Sequence, residues 1–143
     1  MPYTAKHRFA DMGPRKIRPF ANLVRGRNVN EALELLQFYP NRGAKLLAAV
    51  IKSAYSNADF LEHPDPDDLV VLECRVDGAP MYKRIQPRAR GTAFRILRRM
   101  SHITVTLADE QEMQDLVAND LKAGGRQQNL ARLALGWLKR HAV

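Results

Sequence analysis

The chain has 143 residues, 45% of them hydrophobic, enough for one domain with a modest core. The net charge of +8 and pI near 10.1 favour nucleic acid or another anionic surface as partner. The single cysteine, Cys74, excludes an internal disulfide and a cysteine-based zinc site, and no run nears the ~18 apolar residues that would span a membrane.

Residues 3–9 alternate loosely, with Tyr3, Ala5, His7 and Phe9 on one side and Thr4, Lys6 and Arg8 on the other. That suits a short edge strand. The opening Met-Pro-Tyr-Thr-Ala-Lys-His-Arg lacks the apolar run of a signal peptide, so a reducing, cytoplasmic compartment is expected. Gly13-Pro14 then starts a helix, Pro14 falling in the first turn where its missing N–H costs nothing. The helix should run to about Arg25 and stop at Gly26. Pro19 inside it predicts a kink or a break. Asn30 is the expected N-cap of a second helix, with Glu31 in its first turn. Ala32, Leu33, Leu35, Leu36 and Tyr39 form its buried stripe, and Pro40 ends it.

A third helix over roughly 41–59 places Ala44, Leu47, Ala48, Ile51, Ala54, Tyr55 and Ala58 at i, i+3, i+4, i+7 spacing. It is the most buried helix expected, its alanines permitting close approach to a neighbour. The loop His63-Pro64-Asp65-Pro66-Asp67-Asp68 follows. Its carboxylates lack the further ligands and the glycine of a calcium loop, so it reads as a solvated acidic loop.

Two strands then bracket a basic run. In the first, Val70, Leu72, Cys74 and Val76 face one way, and Val71, Glu73, Arg75 and Asp77 the other. In the second, Ile103, Val105 and Leu107 face in, while His102, Thr104 and Thr106 face out. Antiparallel pairing of the two forces residues 78–100 to project as an extended β-ribbon with an irregular tip near Gln86–Gly91. Beyond Asp109, Met113, Leu116, Val117 and Leu121 make one amphipathic stripe. Gly124-Gly125 break it, and Leu130, Leu133, Ala134, Trp137 and Leu138 make a second, the pattern of a helical hairpin over 110–143. Its apolar stripes suit packing on each other, on the domain or on a partner.

The charge sits in blocks. Residues 1–27 carry +6, residues 28–74 carry −5, residues 75–99 carry +7, and the remainder is neutral. Unpaired cations at this density cannot be buried. They need water or a polyanion, and the abundance of Arg favours phosphates. The hairpin cations are Lys83, Arg84, Arg88, Arg90, Arg95, Arg98 and Arg99. A second footprint comes from Lys6, Arg8, Arg15, Lys16, Arg18, Arg25 and Arg27. Tyr82 and Phe94 suit either stacking on exposed bases or packing against Ile85 and Ile96. Two footprints around a neutral core suggest a protein embedded in folded RNA.

An enzyme is not expected. His7, His63, His102 and His141 show no metal-ligand spacing. No phosphate-cradling glycine pattern is present. Ser101 and His102 are neighbours on a strand and point to opposite faces. No cofactor and no metal are expected. A free-standing RNA- or DNA-binding regulator using the same ribbon is the alternative reading.

The order of short motifs is similar to a known family. Ala5-Lys6-His7-Arg8 opens the chain, followed by Pro14-Arg15-Lys16-x-Arg18 and Leu23-Val24-Arg25-Gly26. Ser53-Ala54-x-x-Asn57-Ala58 lies on the long helix. Lys83-Arg84-Ile85-x-Pro87-Arg88-Ala89-x-Gly91, Arg95-Ile96-Leu97-x-Arg99 and Ser101-His102-Ile103-Thr104-Val105 complete the set. With these, residues 1–109 resemble the bacterial large-subunit ribosomal protein twenty-two, of the universal L-twenty-two family.

The resemblance implies an α+β fold: three helices on a small three-stranded antiparallel sheet with a long protruding β-hairpin, here about 78–100. It implies binding to large-subunit rRNA beside neighbouring ribosomal proteins, a role in subunit assembly, and no homo-oligomer. It also implies a hairpin tip that lines the nascent-peptide exit tunnel and can alter macrolide sensitivity. The matching tip is Met81, Tyr82, Lys83, Arg84, Ile85, Gln86, Pro87, Arg88, Ala89, Arg90 and Gly91. Thr92 departs from the family's commoner long polar or basic side chain, and residues 110–143 lie beyond the resemblance.

Overall fold

The computed structural model describes residues 2–61 and 65–109. The expected helical hairpin over 110–143 lies outside the described residues, as do His63 and Pro64. In chain order the elements are β1 (Tyr3–Ala10), α1 (Pro14–Val24), α2 (Val29–Phe38), α3 (Arg42–Phe60), β2 (Val70–Pro87) and β3 (Ala93–Ala108). The sheet is antiparallel with strand order β1-β3-β2. This is the α+β fold expected, with β3 central and β1 at an edge.

The helices cover one face. Leu47, Ile51, Ala54 and Ala58 of α3 are buried against Ala5, Ile103, Val105 and Leu107 of the sheet, with Ile17, Ala21 and Val24 of α1 beside them. Alternation on β3 runs as the sequence indicates: Ile103, Val105 and Leu107 are buried, while His102, Thr104 and Thr106 are partly open. Gly43 lets α3 approach α1. A Cβ there would meet the Lys16 carbonyl at 3.2 Å and the Phe20 ring at 3.3 Å.

Several local expectations are corrected. Pro19 does not split α1, which is helical from Pro14 to Val24. Its ring is exposed. The α2 N-cap is Asn28, whose side chain accepts from the Asn30 N–H at 2.9 Å. Tyr39 is exposed at the end of α2, its ring edge-on to Phe20 with centroids 5.5 Å apart. Asp67 is more than a solvated loop residue. Its carboxylate accepts from Tyr55 Oη at 3.0 Å and Asn30 Nδ2 at 3.2 Å, and its carbonyl from Asn28 Nδ2 at 2.8 Å.

Two β-bulges override strict alternation. At Leu72 the register slips between Val71↔Leu107 and Glu73↔Thr106. Val71 therefore turns inward and is fully buried, where alternation would have faced it out. On β1 the register slips between His7↔Ile103 and Ala10↔Ser101. Ala10 takes the buried place and Phe9 is expelled to the open face. The free edge of β2 is closed near its start by the α1–α2 connection. Gly26 N–H donates to Val71 O, Val71 N–H to Arg27 O and Val29 N–H to Leu69 O, each at 2.9 Å.

Candidate nucleic-acid interface

β2 and β3 continue as a two-stranded ribbon past the body. From Ala79↔Met100 to Pro87↔Ala93 the ladder adds eight residues, about 26 Å of reach at ~3.3 Å per residue. Every residue from 80 to 99 is exposed. Residues 78–100 hold seven cations and no carboxylate. A bulge between Ala79 and Tyr82 marks the neck.

The register decides what each side chain faces. Tyr82 lies opposite Arg98, Lys83 opposite Leu97, Arg84 opposite Ile96, Ile85 opposite Arg95 and Gln86 opposite Phe94. Each pair sets a polar or basic side chain against an apolar one. Because side chains alternate along a strand, both faces of the ribbon carry guanidinium or ammonium groups interleaved with apolar ones. Like charges are never directly opposed, which removes the repulsion that would splay the strands. Tyr82 and Phe94 share a face and are 60% and 61% exposed, so both rings stay open to a stacking partner.

The tip is built by a tight turn. Arg90 and Gly91 adopt φ of 58° and 69° in succession. The Arg88 N–H donates to Thr92 O at 2.8 Å, and Thr92 Oγ donates to Ala89 O at 2.8 Å. Thr92 thus closes the turn itself. The Arg88 guanidinium lies 5.6 Å from the centroid of the Phe94 ring.

The remaining cations divide. Arg25 donates from Nε and Nη2 to the Cys74 carbonyl at 2.9 and 2.5 Å. Arg18 Nε reaches Val76 O at 3.3 Å. Arg27 donates to Leu23 O at 2.8 Å and pairs with Glu31. Arg98 is held by Asp11. These four are tied to the protein itself. Lys6, Arg8, Arg15, Lys16, Lys83, Arg84, Arg88, Arg90, Arg95 and Arg99 have no ion pair among the described residues.

A groove of about 620 Å³ joins the two footprints. Arg15 and Lys16 from the first turn of α1 meet Arg98 and Arg99 from the hairpin neck. Arg42 also lines it. Sequence reasoning missed Arg42 because it sits in the acidic block; only the packing of α3 beside α1 brings it here. Among the described residues no group of three His, Cys, Asp or Glu side chains could hold a metal, and no helix is long and apolar enough to cross a membrane.

The sequence model of the family described as Ribosomal protein L22p/L17e matches residues 5–108. The chain belongs to that family. It is therefore a structural ribosomal protein. Two relatives carry the name Large ribosomal subunit protein uL22. That of Herpetosiphon aurantiacus is 53% identical over 98 residues, covering 68% of this chain and 87% of its own. That of Rhodopirellula baltica is 48% identical over 115 residues, covering 73% and 92%. The family match takes in β1 from Ala5 on, the three helices and the hairpin, and stops where β3 ends.

Proposed function

We propose that this ribosomal protein binds large-subunit rRNA, helps the subunit assemble, and extends its hairpin so that the tip Met81–Gly91 lines the nascent-peptide exit tunnel. The hairpin carries this reading: seven cations, no carboxylate and two open rings on a ribbon with both faces exposed. A flat phosphate surface would use one face. Folded RNA surrounding the ribbon uses both. Counterion release from the neutralised phosphates supplies affinity, and the ladder fixes the distance between RNA segments. In this reading the partners are rRNA, neighbouring large-subunit proteins and the nascent chain. The place is the cytoplasmic ribosome, the protein acts as one copy without catalysis, and residues 110–143 form an extension separate from the 1–109 body.

Sedimentation of cell extract through a high-salt sucrose gradient tests it. The protein should remain with the large subunit at near-unit stoichiometry. Recovery at the top of the gradient would overturn the reading and favour a free nucleic-acid-binding regulator. Tip placement is tested separately by cross-linking from a photoreactive group at Arg90 to a stalled nascent chain.

A further inference from the structure

The β1 bulge that puts Ala10 into the core also turns Phe9 outward. It holds Phe9 at φ 56°, a conformation that a bulky residue adopts only under strain. The strained residue presents its ring to solvent, 55% exposed, on the face of the sheet opposite the helices. Its backbone N–H donates to His102 Nδ1 at 3.0 Å. Its ring stands edge-on to the imidazole, centroids 4.8 Å apart at 80°. An Nδ1 that accepts leaves the neutral imidazole proton on Nε2, and nothing among the described residues bonds that nitrogen. Lys6 and Arg8 border the same depression of about 310 Å³. Arg75 does too, but Asp77 holds it at 2.9 Å.

A strained, exposed aromatic beside a free imidazole donor, flanked by two unpaired cations, matches what an unpaired nucleotide needs. The ring offers a stacking surface, Nε2–H a donor to the base edge or ribose, and the cations contact flanking phosphates. A double helix would present no free base face to Phe9. We propose that the outer face of the sheet is a second RNA site, where one unpaired nucleobase stacks on Phe9 beside His102 and its phosphates lie against Lys6 and Arg8. This rests on the RNA-binding reading above but concerns a surface remote from the hairpin tip.

The test compares full-length protein binding to oligoadenylate and to a blunt RNA duplex of equal length, by fluorescence anisotropy. Phe9→Asn removes the ring and is easier to fold, since Asn tolerates positive φ. It should weaken oligoadenylate binding about tenfold, the scale of one lost base stack, and leave duplex binding within about twofold. Phe9→Tyr should restore the wild-type affinity. Unchanged oligoadenylate binding by Phe9→Asn, or equal losses on both RNAs, would overturn the site. Arg84→Ala separates the two claims. If it weakens both RNAs while Phe9→Asn changes neither, RNA binding stands and the outer-face site falls. Wild-type protein that binds neither RNA overturns both.

Discussion

Arg98 grips Asp11 with two parallel hydrogen bonds, Nε to Oδ1 at 2.9 Å and Nη2 to Oδ2 at 2.6 Å. Arg42 adds a third at 3.2 Å. One carboxylate thus joins the hairpin neck, the loop before α1 and the start of α3.

The Arg98 hydrogen bonds, helped by Arg42, hold the Asp11 carboxyl down at about 2, against an ordinary 3.8. A depressed carboxyl contributes stability that is fully present above pH 3.8 and lost as pH falls through about 2. NMR titration of the Asp11 carboxyl should show a midpoint near 2, and Arg98→Gln should raise it. A midpoint at the ordinary value in the wild type would mean that the forked pair does not form in solution.

Arg25 and Arg84 should separate stability from RNA affinity. Arg25 spends its guanidinium on the Cys74 carbonyl. Its replacement by Ala should cost about 1–3 kcal/mol in urea unfolding, the range for losing a charged donor to a part-buried acceptor. RNA affinity should stay within about twofold. Arg84→Ala should leave unfolding unchanged and lower the slope of log K against log salt by about one. The reverse pattern would misassign both residues.

Burial pushes the Cys74 thiol up to about 12, despite the nearby Arg25 charge. Iodoacetamide at pH 8 should label it only in denaturant. The raised value also has a stability consequence: the contribution is complete below pH 9, the unfolded thiol's range, and is lost as pH rises toward 12. Cys74→Ala should flatten the alkaline loss of stability between those limits. Rapid labelling of native protein would contradict the buried geometry.

Amide exchange on the free protein should grade along the ladder. Residues 101–107 back onto the core and should be strongly protected. Residues 80–92 bury no apolar side chain and should exchange fast, although Tyr82–Pro87 are paired. Uniform strong protection to the tip would show that the ribbon is rigid without RNA.

Much of this architecture is legible in the residues. Ile103, Val105 and Leu107 declare a half-buried strand because β3 is regular throughout the body. Two strands flanking 23 residues of basic chain could only pair if that chain became a ribbon. The misses share a cause. Val71 and Phe9 lie beside bulges, where one added residue reverses the facing of its neighbours, and no local pattern marks the insertion. Pro19 was tolerated because its face of α1 is wet. At the interface, the free cations and the structural ones look alike in sequence. Arg25 and Arg84 differ only in what the fold brings near them, a backbone carbonyl in one and solvent in the other. Arg42 reaches the groove through helix packing, which its acidic neighbours in the chain conceal.

The opposition of cation and apolar residue along the hairpin has a further consequence for the newly made protein. A ribbon with two unpaired edges and several exposed rings is a template for pairing with other copies. Here no face offers an unbroken apolar strip, and a basic or polar side chain stands opposite each apolar one from Tyr82 to Gln86. Two such ribbons brought together would bury cation against cation. The cations that we propose meet RNA also guard the hairpin against self-association.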